Sequence, residues 1–335
     1  MKPIKTLLWS CAASCAFALP AMAADYTMIM AHGLSDRAHP LYKAFEKIET
    51  DIEERSEGRI DVVDQGGGAL GGDREVMESL MLGDIQFAPL GTSGAVQFIP
   101  EFAVFDIPYV LPTDPAVLKP LLNDSDLSEQ LTSVLADRGI MFGGILDGGF
   151  RNLTTSGTEV HTPADIADNG LRIRVQENPV HIAIWRDLGA APTPIAFPEL
   201  YGALQQGVVD GQENPYGHIL SQRFYEVQDY LINTQHIFLA NINLINQEWF
   251  EGLPEDLQTI VSDVLAESVD YQWDLQAEAE GDMREQLAEH LTIIDLTDEE
   301  IAQFRDQTSG IIDMARERAG DETVDALLSA TDSAQ

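Results

Sequence analysis

Residues 59–82 read RIDVVDQGGGALGGDREVMESLML. The segment starts with an apolar run, continues through a glycine-rich loop and ends in a helical pattern. Gly66, Gly68 and Gly71 fit G-x-G-x-x-G, and residues 73–82 repeat apolar side chains at helical spacing. Strand, glycine loop and helix in that order mark an α/β layer built around a mostly parallel sheet. The same order also raises the question of a dinucleotide cradle. Such a cradle needs an acidic residue at the end of the next strand, and that strand, residues 84–91, ends in Gly91. A phosphate loop needs Gly-Lys-Ser/Thr, and Asp73 follows the last glycine here. A carboxylate there repels phosphate but suits a helix N-cap. Two readings stay open: a turn into a helix capped by Asp73, or a turn whose backbone approaches a small ligand. No cofactor is expected.

Working outward, the α/β pattern continues on both sides. Residues 26–33 read as a strand and 39–58 as an amphipathic helix ending at Gly58. Helices follow near 114–122 and 127–138, then a Gly-rich strand at 140–149. The pattern restarts with LRIRV (171–175), a helix at 178–189, an extended APTPI, a short helix at 197–207 and a strand running through VVDGQENP. HIFLANINLIN (236–246) is a long apolar strand, residues 254–291 read as one very long helix, and helical patterns run from 298 onward. Two α/β blocks without a low-complexity linker point to two domains joined by several crossings, with a cleft between them.

Composition narrows the function classes. Lys2 and Lys5 precede an apolar run from Leu7 to Leu19, and Ala21-Met22-Ala23 is a small-x-small site. Residues 1–23 are therefore expected to be a secretory signal peptide. Cys11 and Cys15 both fall inside it, so a chain cut after Ala23 has no thiol chemistry. A lipoprotein start at Cys15 is disfavoured by Ala12. The net charge of −37 repels nucleic acid and anionic membrane. Beyond the leader the lysines are Lys43, Lys47 and Lys119, so an Arg in an apolar stretch stands out. Arg172 and Arg174 face one side of LRIRV, where a guanidinium is costly unless it has a partner or meets an anion. Arg151 sits at a strand-to-loop exit, where open α/β sheets bind ligands. The seven histidines lack metal-ligand spacing, and no H-E-x-x-H or G-x-S-x-G is present.

GGFRNLTTS, then LRIRVQENPVHIAIWRDLGAAPTPIAFPELYGALQQGVVDGQENP, then YEVQDYLINTQH follow one another along the chain. In this order they resemble the solute-binding proteins of tripartite ATP-independent periplasmic (TRAP) transporters, of the dicarboxylate- and sialic-acid-binding type. The resemblance covers nearly all of the chain beyond the leader. It implies a two-domain periplasmic-binding-protein-like α/β fold with a ligand cleft, hinge strands and a long domain-spanning helix. Domain I would comprise 24–148 plus about 239–280, and domain II 149–238 plus about 281–335. It also implies that Arg174 pairs with a substrate carboxylate, that Arg151 is a second anion contact and that Asn214 bonds the same region. Phe197 would pack on the ligand, and His236 would join its water network. Glu177 stands where sialic-acid binders carry Asn, which favours a sugar acid. His32, Gln65 and the loop near Thr92 are the candidates from domain I. The implied protein is a periplasmic, monomeric carrier of an organic acid, a sugar acid or C4-dicarboxylate, that hands its cargo to a membrane permease. The alternatives are an exported enzyme acting on acidic sugars and a ligand-sensing binding protein.

Overall fold

The computed structural model describes residues 24–333. The expected signal peptide and both cysteines lie outside the described residues. The strands among them are β1 (Tyr26–Ala31), β2 (Ile60–Gln65), β3 (Phe87–Gly91), β4 (Ile140–Phe150), β5 (Asn152–Thr155), β6 (Arg172–Val175), β7 (Ala191–Pro194), β8 (Gly211–Asn214), β9 (Tyr230–Ile232), β10 (Phe238–Asn246) and β11 (Thr292–Ile294). They form two sheets, ordered β2-β1-β3-β10-β4 and β11-β9-β5-β8-β6-β7. The sheets are mixed rather than mostly parallel. β1 is parallel to β2 and β3, but β10 runs antiparallel to β3 and β4. In the second sheet β6 is parallel to β7 and β8, while β5 is antiparallel to β8 and β9. The antiparallel strands are the ones that cross between lobes. A returning strand enters a sheet from the opposite end, so reversal follows from crossing.

The chain passes from the first sheet to the second with only Arg151 between β4 and β5, and returns through residues 233–237 between β9 and β10. The backbone N–H of Arg151 donates to the Ile237 carbonyl at 2.8 Å, which ties the two crossings together. The third connection is the helix Glu255–Ala288, which packs on the helix Pro40–Arg55 of one lobe and on the helix Tyr216–Ser221 of the other. It is pinned at its middle. Gln272 pairs with the backbone of Asp147, accepting from N–H at 2.6 Å and donating to the carbonyl at 2.7 Å, as a neighbouring strand would. The Trp273 indole N–H donates to the Ile145 carbonyl at 3.0 Å.

Core formation follows the apolar faces. Leu41, Phe45, Ile48 and Ile52 of the first helix cover Met28, Met30 and Ile60, all fully buried. Every residue of β10 is buried, as expected of a central strand covered on both faces. The helices Ile311–Ala319 and Asp321–Ser333 pack against the 3-10 segment Pro100–Asp106, and the latter also packs on the helix Asp126–Ala136. They therefore lie with the first lobe, although the sequence reading grouped all of 281–335 with domain II. Amphipathicity shows that a helix needs a partner, not which one.

Candidate functional site

The glycine loop is built for close approach. Gly67 and Gly68 donate backbone N–H to the carbonyls of Leu34 and His32 at 2.7 and 3.1 Å. The helix that follows starts at Asp73, but its cap is Gly72, whose N–H donates to the Glu75 carboxylate at 2.9 Å. Asp73 is therefore not the N-cap that the sequence reading made it; it is the first helical residue, and its carboxylate faces the cleft. A Cβ on Gly68, which has φ +73°, would lie 2.7 Å from the Pro198 side chain of the other lobe. The loop is thus a seat for the segment 196–198 across the cleft.

Two adjoining cavities of about 50 and 20 Å³ lie between the lobes and share Asp73, Gln176 and Phe197. The first is also lined by His32, Asn214, His218 and Asn241, the second by Arg174 and Glu177. Arg174 is fully buried, with Nε and Nη2 donating to the Ile195 carbonyl at 2.9 and 2.7 Å. Its Nη1 has no protein partner. Burial lowers this guanidinium to about 10, with Glu213 opposing the fall. A buried donor without an acceptor is costly, and an anion in the cavity would satisfy it.

Behind Arg174 lies a buried ionic network. Arg151 grips Glu213 with Nε at 2.5 Å and Nη2 at 2.8 Å, and Nη2 also donates to the Glu213 carbonyl at 2.6 Å. Arg151 lines neither cavity. Its Nε and Nη2 are taken by Glu213, one strand away on β8. His236 places Nε2 3.2 Å from the same carboxylate and Nδ1 2.9 Å from the Thr234 hydroxyl. Burial lowers His236 against the pull of Glu213, so its neutral ring donates from Nε2 and accepts at Nδ1. Burial alone would raise Glu213, but Arg151 first, then His181 and His236, hold it well below the usual range. His181 sits 3.0 Å from Asp106 and 3.5 Å from Glu213. Burial would lower it, but Asp106 and Glu213 prevail and raise it to about 9, so it is an imidazolium between two carboxylates.

Asp106 also bridges the lobes. It accepts from the Ser93 hydroxyl at 2.5 Å, from Asn178 Nδ2 at 2.7 Å and from His181. Nearby, Asn178 Nδ2 reaches the Ser93 carbonyl at 3.0 Å, and Gln97 donates to the Glu177 carbonyl at 2.5 Å. Further along the cleft, His39 and His218 meet edge to face, 4.8 Å between ring centres. Both are buried, and burial leads the lowering of each, His39 to about 4 and His218 well below its ordinary value.

The other expected residues are distributed as follows. Asn214 donates to Gln212 Oε1 at 2.5 Å and lines the larger cavity. Phe197 lines both cavities and stands edge to face with His218 and Phe224. His32 lines the larger cavity, with Nε2 3.0 Å from Asp64. Glu177 is exposed at the rim of the smaller one. Gln65 pairs with Ala31 at the end of β2 and lines neither cavity. Thr92 is buried and lines neither cavity, but its neighbour Gly91 lines the larger. Sequence reading missed Asp73, His181, Asp106 and His218 as parts of the site; the last three act through partners remote in the chain.

The model of the DctP family, bacterial extracellular solute-binding protein family 7, matches residues 30–318. The chain belongs to this family. Family 7 relatives include the C4-dicarboxylate-binding periplasmic protein DctP of Rhodobacter capsulatus, 31% identical with 97% of each chain covered. The sugar acid binding protein of Advenella mimigardefordensis, solved with galactonate, superposes with a TM-score of 0.88 at 30% identity, covering 94% of this chain and 100% of that one. A TRAP periplasmic solute-binding protein of Sulfurospirillum deleyianum with bound succinate gives 0.85 at 27% identity, covering 92% and 99%. Membership of family 7 makes the chain a solute-binding protein of TRAP type, with the two-domain fold of that group.

Proposed function

We propose that this chain binds an organic acid between its lobes, with the acid's carboxylate on Arg174, and delivers it to a TRAP membrane permease from the periplasm. It works as a monomer and binds its cargo without turning it over. The observation that carries the reading is the unpartnered Nη1 of a fully buried Arg174 at a narrow cavity. Arg174 is held in place by the Ile195 carbonyl, so the remaining face of its fork is presented to ligand without reorganisation. Asn214 and Phe197 supply a polar and an apolar wall. Binding favours closure because the ligand touches both lobes in the closed arrangement and only one when they part.

The test is a thermal-shift screen of organic acids on the mature protein, followed by titration calorimetry on the hit. A ligand at a hundred times its dissociation constant adds roughly 2.7 kcal/mol of stability. Arg174→Lys is expected to weaken binding more than about tenfold, since an ammonium cannot reproduce the fork. Unchanged affinity in that variant would remove the carboxylate from Arg174.

A further inference from the structure

The buried cations behind the cleft can be matched one by one with their carboxylates. Arg151, Arg174 and His181 are cations. Facing them in the interior are two carboxylates, Glu213 and Asp106. His236 is neutral, for the reasons given above. Of the three, Arg174 alone has no carboxylate within 4 Å among the described residues, and its Nη1 has no partner. A single ligand carboxylate would supply that partner.

The rest of the cleft offers little for a second: the other cation of the smaller cavity, Arg74, is exposed and already paired with Glu78 at 3.2 Å. No Lys or Arg lines the larger cavity. His32 already has Asp64 beside it, and His218 is held neutral by burial. The amides facing that space are Asn214, Asn241 and Gln176, and the Oδ1 of Asn241 and Oε1 of Gln176 have no protein partner although buried. The charged group there is Asp73, which lines both cavities. Its burial raises it to about 6, with Arg174 and then Arg151 opposing. At neutral pH it is an acceptor, and a second ligand carboxylate beside it would be a buried like charge.

We propose that the cargo carries one carboxylate and hydroxyl donors at its other end, and that Asp73 is the residue that rejects dicarboxylates. This rests on the carboxylate lying at Arg174. Asp73 and the Asn241 carbonyl oxygen accept hydrogen bonds from hydroxyls, so a hydroxy acid satisfies both ends of the cleft. A linear diacid satisfies one end and places an unpaired charge at the other.

The experiment is titration calorimetry of the mature protein at pH 7.5 with matched pairs that differ only at the far carbon: galactonate against galactarate, and erythronate against tartrate, with succinate as a further diacid. The aldonate of a pair is expected to bind more than about 100-fold tighter than its diacid, the scale of an uncompensated buried charge. Asp73→Asn is expected to shrink that ratio at least about tenfold, chiefly by improving the diacid. A diacid that binds tighter than its aldonate, or a ratio unmoved by Asp73→Asn, overturns the proposal while leaving Arg174 as the anchor. A zwitterion with one carboxylate that outcompetes every aldonate overturns the hydroxyl assignment. Failure of every acid to bind overturns the hydroxy-acid class. Aldonate binding indifferent to Arg174→Ala would instead take down the Arg174 reading itself.

Discussion

Asp106→Asn separates closure from folding. Asp106 belongs to the first lobe and is fully buried. Of its three donors, Ser93 is on its own lobe, whereas Asn178 at 2.7 Å and His181 at 3.0 Å come from the other. The substitution keeps one acceptor oxygen, puts an amide where a carboxylate received donors and leaves His181 with Glu213 as its remaining carboxylate. Hydrogen bonds to charged groups are worth about 1.5–3 kcal/mol each. Losing the cross-lobe pair in part should cost about 3 kcal/mol of closure, a roughly 100-fold weaker dissociation constant. The assay is calorimetric titration of the cargo at pH 7.5 on wild type and variant, with urea denaturation of both without cargo. The expected outcome is a large loss of affinity with a smaller loss of unfolding free energy. Affinity within threefold of wild type, alongside a lowered urea midpoint, would refute the reasoning. Asp106 would then bond His181 and Asn178 in open and closed forms alike.

Further outcomes follow from the same network and from the loop. Glu213→Gln leaves Arg151 and His181 without their shared buried carboxylate and should cost about 3–5 kcal/mol of stability by urea unfolding; a loss under 1 kcal/mol would show the network to be dispensable. Part of the acid sensitivity should come from His39, beside contributions of the same sign from His218 and Glu213; the folded value of His39, about 4, lies below the unfolded value near 6.5. Its neutral burial supports the fold above pH 6.5, and that support drains as pH falls through 4, roughly 3 kcal/mol in full. His181, raised to about 9, has the opposite sign: its contribution is complete below pH 6.5 and lost as pH climbs through 9. Urea midpoints against pH should therefore fall on both sides of a maximum near 6–7, and His39→Asn, which keeps an acceptor for the Leu41 N–H, should flatten the acid limb only. Gly68→Ala should weaken cargo binding at least about tenfold, through the Cβ contact with Pro198 and a left-handed backbone that costs about 1–2 kcal/mol for other residues; unchanged binding would mean that loop and Pro198 do not meet in the bound form.

The secondary structure was legible wherever elements were long. The helices Pro40–Arg55, Asp73–Leu82 and Glu255–Ala288 lie within two or three residues of their predicted bounds, because periodicity accumulates over many turns. The strands Asn152–Thr155, Tyr230–Ile232 and Thr292–Ile294 were not read, since three or four residues carry no usable period. At the site, the resemblance placed Arg174, Asn214 and Phe197 at cavity walls, and the leftover guanidinium of LRIRV was visible from the scarcity of cations. The pairing of Arg151 with Glu213 was not legible, because Glu213 is 62 residues away and nothing local distinguishes an Arg that meets a ligand from one that meets a carboxylate. Asp73 was misjudged because a residue just before an apolar helix reads as a cap, and the choice between cap and first turn rests on the backbone angles at Gly72.

The amino-acid sequence by itself determined the α/β class, the long helix and the family to which the chain belongs, because these rest on local periodicity and on ordered motifs. The tertiary structure decided which charges cancel. Electrostatic balance in a buried cleft depends on distances of 3 Å between residues from both lobes, such as Asp106 to His181. No spacing along the chain encodes those distances. Arg174, a fully buried guanidinium with no carboxylate within 4 Å among the described residues, and Asp73, which lines the same cavity, became visible only in the folded cleft.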